Sequence, residues 1–346
     1  MKAAYFESFK GPVTITQLPD PVPGKNEVII QVKATGLCRS DWHGWQGHDS
    51  DIHLPHVPGH ELAGIIVATG SEIKQWKKDD RVTVPFCIGC GTCYQCAHGQ
   101  QQICDHYYQP GFTGWGSFAE FVRIPYADEN LVRLPDDMDF VTAAVLGCRF
   151  ITAWRGVTTQ GALQAGNFIA IHGCGGVGLS AIMIAAAVGA VPIAIDIDNS
   201  KLEFAKTIGA AHTINAREIL QVPEAVMQLT KGGAHVSVDA LGSWETCNNS
   251  IRSLRKQGKH IQLGLMAGTE ANPPIPMSDV IAKELQLIGS HGMQTHQYPK
   301  MMEWISTGKM NPEKLLGRII SLEESCAALT DLNSFRNTGV TVIRFD

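Results

Sequence analysis

The run NFIAIHGCGGVGLSAIMIAAAVGA constrains the fold more than any other stretch, because Gly173, Gly175 and Gly178 space it as G-x-G-x-x-G. The motif alone is weak evidence, since glycine-rich turns are common. Here it follows an apolar strand pattern and opens a small-residue helix pattern, as a dinucleotide fingerprint requires. The first glycine permits the turn, the second lets a pyrophosphate approach the backbone, and the third lets helix and strand pack closely. The helix start then offers free N–H groups and partial positive charge to phosphates. Asp196 ends the next strand pattern, 23 residues after Gly173. Its carboxylate suits an adenosine ribose and repels a 2′-phosphate, which favours NAD over NADP. Gly176 and Val177 within the loop, and Lys201 beyond Asp196, are counted with the same cofactor site. Asp198 reads as a solvated turn residue.

Strand and helix patterns alternate from about residue 150 to 290: NFIAIHG, VPIAIDID, HTIN, HVSVDALG, KHIQLGLM and LQLIGSHG are the strands. That alternation predicts a parallel, doubly wound sheet. The first third differs, with short strands (Val28 to Val32, ELAGIIVATG, RVTVPF, SFAEFVRIP) and almost no helical periodicity. It predicts a compact, mostly antiparallel β unit. A helix near Tyr298 to Ser306 and a strand from Val340 to Phe345 complete the chain. Two domains also suit a length of 346 residues.

Five of the ten cysteines crowd between Cys87 and Cys104. Cys90, Cys93, Cys96 and Cys104 follow C-x2-C-x2-C-x7-C, a spacing that lets four thiolates converge on one tetrahedral ion. A disulfide framework is the alternative in a secreted chain, but MKAAYFESFK reads as a strand and not as a leader. The expected group is a structural zinc with every position filled by protein. Cys87 reads as a spare or buried thiol. The longest small-apolar run, Leu179 to Ala190, is about 12 residues, short of the roughly 20 that span a bilayer. A net charge of -5 argues against general nucleic-acid binding. Cytoplasmic location is the default expectation.

A second set of metal donors is spread along the chain: Cys38 in CRSDWH, His60 in PGHE and Cys148 in LGCRFITAW. A lone Cys or His in a strand-rich domain is usually structural. Three separated ligands and one open position form the arrangement of a catalytic zinc.

CRSDWH, PGHE, the four-cysteine lobe, GCRFITAW and GCGGVG, in this order, resemble the zinc-dependent medium-chain alcohol dehydrogenases over essentially the whole chain. The resemblance implies a GroES-like mostly-β catalytic domain over 1–149, with the zinc lobe at about 87–104. It implies a Rossmann domain with a doubly wound parallel sheet over 150–290, and a segment, 291–346, returning to the catalytic domain. Two Zn2+ per subunit and NAD are the implied cofactors. Cys38, His60 and Cys148 would bind the catalytic zinc, with Glu61 as a carboxylate able to approach it transiently. Asp41 would orient His60. Ser40 would take the alcohol's proton and pass it through the nicotinamide ribose to His43 at the surface, a histidine expected to titrate near neutrality. Arg39 would sit near the cofactor pyrophosphate. Phe86 corresponds to a pocket position, and Trp42, Trp45 and Trp115 are further candidates for an aromatic lining. His48, His53 and His56 read as loop residues.

Many relatives carry an arginine at the start of the last strand; that place falls here at Val340 or Thr341. Polyol dehydrogenases often have Glu where Cys148 stands. The implied reaction is reversible oxidation of primary or secondary alcohols to aldehydes or ketones. A polyol or amino-alcohol dehydrogenase, and a non-catalytic zinc and nucleotide-binding protein, are the alternatives. The short segment after Cys104 resembles that of tetrameric bacterial relatives, so a homotetramer is expected, its partners otherwise being small molecules.

Overall fold

The computed structural model describes residues 1–334 and 338–345. They divide into two compact units, Met1–Ile151 with Gly292–Met302 and Leu316–Asp346, and Thr152–His291 with Glu303–Leu315. Residues 303–315 thus group with the second unit, where Trp304 meets Trp154 edge to face at 5.1 Å.

The first unit holds β1 (Lys2–Tyr5), β2 (Thr14–Gln17), β3 (Val28–Leu37), β4 (Leu62–Thr69), β5 (Arg81–Thr83), β6 (Phe121–Ile124) and β7 (Val132–Arg133). The second holds β8 (Phe168–His172), β9 (Val191–Asp196), β10 (His212–Asn215), β11 (Ala234–Asp239), β12 (Leu254–Gln262) and β13 (Gln286–Gly289). The chain then returns to the first with β14 (Leu316–Ile320) and β15 (Val340–Arg344).

β3 runs to Leu37, five residues beyond the end read from its alternation. It is the centre of its sheet, paired with β4, β6 and β15, all antiparallel. Partners on both sides satisfy its backbone groups, so a polar interruption such as Thr35 or Gly36 does not end it. Val28, Ile30 and Val32 pack with Leu62, Ile66 and Val82 on one face. Leu37 packs with Ala4, Phe6, Phe118 and Ile343 in a separate cluster. The strand therefore carries a rigid core up to Cys38.

In the second unit the strand order is β10-β9-β8-β11-β12-β13, with every pairing parallel. Chain order reverses beside β8, the switch point where such sheets bind ligands. The doubly wound sheet and the mostly-β unit are both as expected. Asp198 caps the helix Asn199–Thr207, accepting from the Ser200 N–H at 2.8 Å, and so is a helix cap in place of a plain turn residue.

Phe140–Gln160 forms one long helix interrupted by π-helical turns at Leu146–Phe150 and Arg155–Gln160. It is long and apolar enough to cross a membrane, but it is largely buried in the protein, as a core helix is. The first π turn carries Cys148, and single π turns often mark functional positions.

His172 ends β8 immediately before the glycine-rich turn. It is buried, and its Nε2 has no hydrogen-bond partner. Burial, with His260 nearby, pushes its pKa down to about 3. The unfolded chain therefore takes up this proton near pH 6.5, while the fold resists it until about pH 3. Stability rises with pH across that window and is lost as pH falls. Between pH 7 and pH 5 this residue alone is expected to cost about 2 kcal/mol. Urea midpoints of wild type and His172→Phe at both pH values check this: the wild type loses stability that the variant keeps. Parallel losses would assign the acid sensitivity elsewhere.

Candidate metal and cofactor sites

Cys38 is both the residue after β3 and the N-cap of the short helix Arg39–Trp45. Asp41 in that helix turns its carboxylate back: Oδ2 accepts from the Cys38 N–H at 2.9 Å. Its Oδ1 accepts from the Gly59 N–H at 3.1 Å and lies 2.8 Å from His60 Nδ1. One buried carboxylate thus ties two candidate ligand segments together and fixes the imidazole.

His60 Nε2 is left buried with no hydrogen-bond partner. Donor atoms of Cys38, His60, Glu61 and Cys148 all lie within 4.8 Å of one another, and all four residues are buried. A hydrogen bond from Cys148, reinforced by His60 and Arg149, holds the Cys38 thiol well below its ordinary range. The same bond and burial push Cys148 well above it. Two thiols this close cannot both ionise without a cation between them. An orphaned imidazole nitrogen beside two thiols is a donor set that zinc fits.

Burial pushes the Glu61 carboxyl up, with Arg149 opposing. Burial also works against the charge on Arg149, but Glu61 and Cys38 overcome it and raise its pKa. Arg149 Nε and the Arg149 N–H donate to Glu61 Oε1 at 2.8 and 3.1 Å, and Nη2 donates to Oε2. Sequence reasoning missed Arg149. The available signal was a cation within the apolar run VLGCRFITAW, since a buried charge needs a partner.

Phe86, read as a pocket residue, has its ring 6.1 Å from that of His60. Phe112, not foreseen, lies nearer at 5.4 Å. Of the three tryptophans proposed for the lining, Trp45 and Trp115 make their contacts elsewhere. Trp45 is buried in the cluster around Phe6, and its indole donates to the Gly11 carbonyl at 2.8 Å. Trp115 sits edge to face with Tyr5 and donates to the Pro55 carbonyl at 3.2 Å. An indole with an N–H to satisfy goes where a carbonyl is in reach. Trp42 lies under the Arg39 guanidinium at 5.0 Å and meets His43 edge to face.

Ser40 Oγ is 3.8 Å from Cys38 Sγ. His43 differs from expectation. It is half-buried, and burial, followed by the charges of Arg39 and His48, lowers its pKa to about 4 and not to near neutrality. His48, read as a plain loop residue, has its Nδ1 2.9 Å from His43 Nδ1. Cys87 stays out of both metal groups and donates to the Met293 carbonyl at 3.5 Å.

The second metal group is Cys90, Cys93, Cys96 and Cys104, again with all donor atoms within 4.8 Å. N–H groups of Cys90 and His106 each point at Cys104 Sγ at 3.2 Å, the kind of contact that steadies a thiolate ligand. All ten cysteines are free thiols.

In the second unit Gly173 adopts φ +94, which favours glycine. A Cβ on Gly178 would lie 1.8 Å from the Gly173 carbonyl, whereas one on Gly175 would meet nothing within 4 Å. The third glycine is therefore required by packing, and the second leaves open space. The helix Gly176–Val188 begins there, capped by Gly175 with no side-chain hydrogen bond to its first N–H groups, and Val177 is its second residue. Asp196 Oδ2 accepts from the Cys174 N–H at 2.7 Å, bracing the turn from the end of β9. Lys201 is buried in the first turn of the next helix.

Residues 24–136 match the model of the alcohol dehydrogenase GroES-like domain, and residues 176–307 that of the zinc-binding dehydrogenases. The alcohol dehydrogenase of Geobacillus stearothermophilus is 31% identical over 90% of each chain. The NAD-dependent alcohol dehydrogenase of Sulfurisphaera tokodaii is 32% identical over 99% of each. Bacillus subtilis sorbitol dehydrogenase is 30% identical over 99% of this chain and 96% of its own. The crystal structure of the alcohol dehydrogenase from Aeropyrum pernix superposes with a TM-score of 0.91, at 28% identity and full coverage of both chains.

Proposed function

The chain belongs to the zinc-dependent medium-chain alcohol dehydrogenase family, and from that premise we propose that it carries out reversible, NAD-linked oxidation of primary or secondary alcohols to aldehydes or ketones. The observation that carries this reading is the buried trio of Cys38, His60 and Cys148, with His60 Nε2 unpartnered and its Nδ1 held by Asp41.

Zinc held there supplies Lewis-acid polarisation of the alcohol or carbonyl oxygen. Cys38, His60 and Cys148 hold the ion, and Asp41 fixes the imidazole that faces it. Phe86 and Phe112 give the surroundings of His60 an aromatic, apolar character that suits alkyl and aryl groups. Ser40, beside Cys38, takes the alcohol's proton, and His43 receives it further out. With a pKa of about 4, His43 is neutral at pH 7 and holds a proton only in passing. A second zinc in the four-cysteine lobe serves folding, which makes two ions per subunit.

The reading of NAD over NADP rests on Asp196. Replacing it with Ser is expected to raise KM for NAD by at least about tenfold, since a carboxylate hydrogen bond is worth about 1.5–3 kcal/mol. Turnover with NADP is expected to improve relative to NAD. Equal use of both cofactors by the wild type would remove the assignment.

The match to a sorbitol dehydrogenase supports a second reading, oxidation of a polyol. NADH formation over a panel of primary, secondary and aryl alcohols and sorbitol, before and after chelation, separates the two. Turnover of sorbitol alone selects the second, and no turnover with any of them overturns both. Free thiols suit a reducing compartment, and a cytoplasmic homotetramer completes the proposal; light scattering reads the subunit number directly.

A further inference from the structure

Resting on the catalytic-metal reading above, we propose that Arg149 is a positioning residue that holds the Glu61 carboxylate off the metal and so keeps one coordination position open. A fourth protein donor would close the site, which is what separates structural from catalytic zinc. Glu61 is near enough to be that donor, since one of its oxygens lies within 4.8 Å of the donor atoms of Cys38, His60 and Cys148.

Arg149 occupies both carboxylate oxygens. Its Nε and its backbone N–H donate to Oε1, and Nη2 donates to Oε2. The guanidinium is anchored in turn, because Nη1 donates to the Leu37 carbonyl at 3.1 Å, immediately before Cys38. Gly36 makes room for the pair: a Cβ there would lie 2.0 Å from Glu61 Oε2 and 2.7 Å from Arg149 Nη2. The knot thus joins the neighbours of all three ligands: Leu37, Glu61 and Arg149. Glu61 is fully buried, and a buried carboxylate deprived of its cation must take up a proton or find another cation. The metal is the cation within reach.

The test uses the whole enzyme with cobalt(II) at the site of Cys38, His60 and Cys148, zinc in the lobe, and imidazole as the added ligand. In the wild type, imidazole is expected to shift the visible cobalt spectrum. In Arg149→Met, Glu61 becomes a fixed ligand: the imidazole response weakens by at least about tenfold, and release of the ion to a chelator slows by a similar factor, the range seen for residues that support metal ligands. Adding Glu61→Gln to Arg149→Met restores the response. Should Arg149→Met be insoluble, Arg149→Lys keeps the charge but not the two-point grip, and a weakened response is expected there too. A wild-type response in Arg149→Met or in Arg149→Lys overturns the proposal. So does a double variant that binds no cobalt, because Arg149 would then only support the scaffold. A wild type that takes metal in the lobe alone overturns the catalytic-metal reading itself.

Discussion

Replacing Cys148 with alanine is expected to lower kcat/KM by at least about 10³-fold, because the Lewis-acid contribution of a bound metal is several kcal/mol and each 1.36 kcal/mol is tenfold in rate. The metal content should fall from two ions per chain towards one. The remaining ion sits in the four-cysteine lobe, whose ligands are separate from this site. The fold should survive, since Cys148 lies on a π turn inside a long buried helix and alanine is a good helix former. Metal analysis, steady-state kinetics and circular dichroism on one preparation decide the matter. A variant that keeps both ions and near-normal turnover would remove Cys148 from the site. So would a variant that loses both ions together, because the two sites would then not be independent.

The second large effect is on folding. Cys104→Ser is expected to empty the lobe of metal and to lower Tm by roughly 10 °C or more. Structural zinc contributes about 10–16 kcal/mol in isolated zinc modules, comparable to the whole stability of a domain. The lobe's own buried core is small. Its buried cluster consists of Cys90, Cys96 and Cys104, with Cys93 and Tyr126 packed against it. Its link to the neighbouring helix is the pair of bonds between Gly89 and the Asn130 side chain, at 2.9 and 2.8 Å. Limited proteolysis should then cut between Gly89 and Cys104 in the variant and spare the wild type. Loss of turnover with Tm and cleavage unchanged would make the lobe a contributor to chemistry and not to folding.

The cysteine lobe and the Glu61–Arg149 pair differ in how far they could be read from the sequence. The lobe's four ligands lie within fifteen residues, and chain geometry alone brings them together. Glu61 and Arg149 are 88 residues apart, and only packing shows that they form a pair. The same distinction separates Phe86, placed through its family position, from Phe112, whose ring lies closer to His60. His48 read as a loop residue because the local sequence does not show that the chain after Trp45 turns its ring back onto that of His43.

What the sequence alone determined is therefore what local sterics and periodicity control. Those features are the glycine turn ahead of the helix at Gly176, the alternation that makes the second sheet parallel, and the cysteine spacing. Backbone conformation at such positions depends on residues a few places away and holds in almost any surroundings. The tertiary structure decided the rest. It took Trp45 and Trp115 to carbonyls away from His60, extended β3 to Leu37, lowered the pKa of His43 to about 4, and closed the Arg149–Glu61 pair over Gly36. Each of these depends on desolvation or on contacts between distant segments, and their energies exist only once the chain has packed.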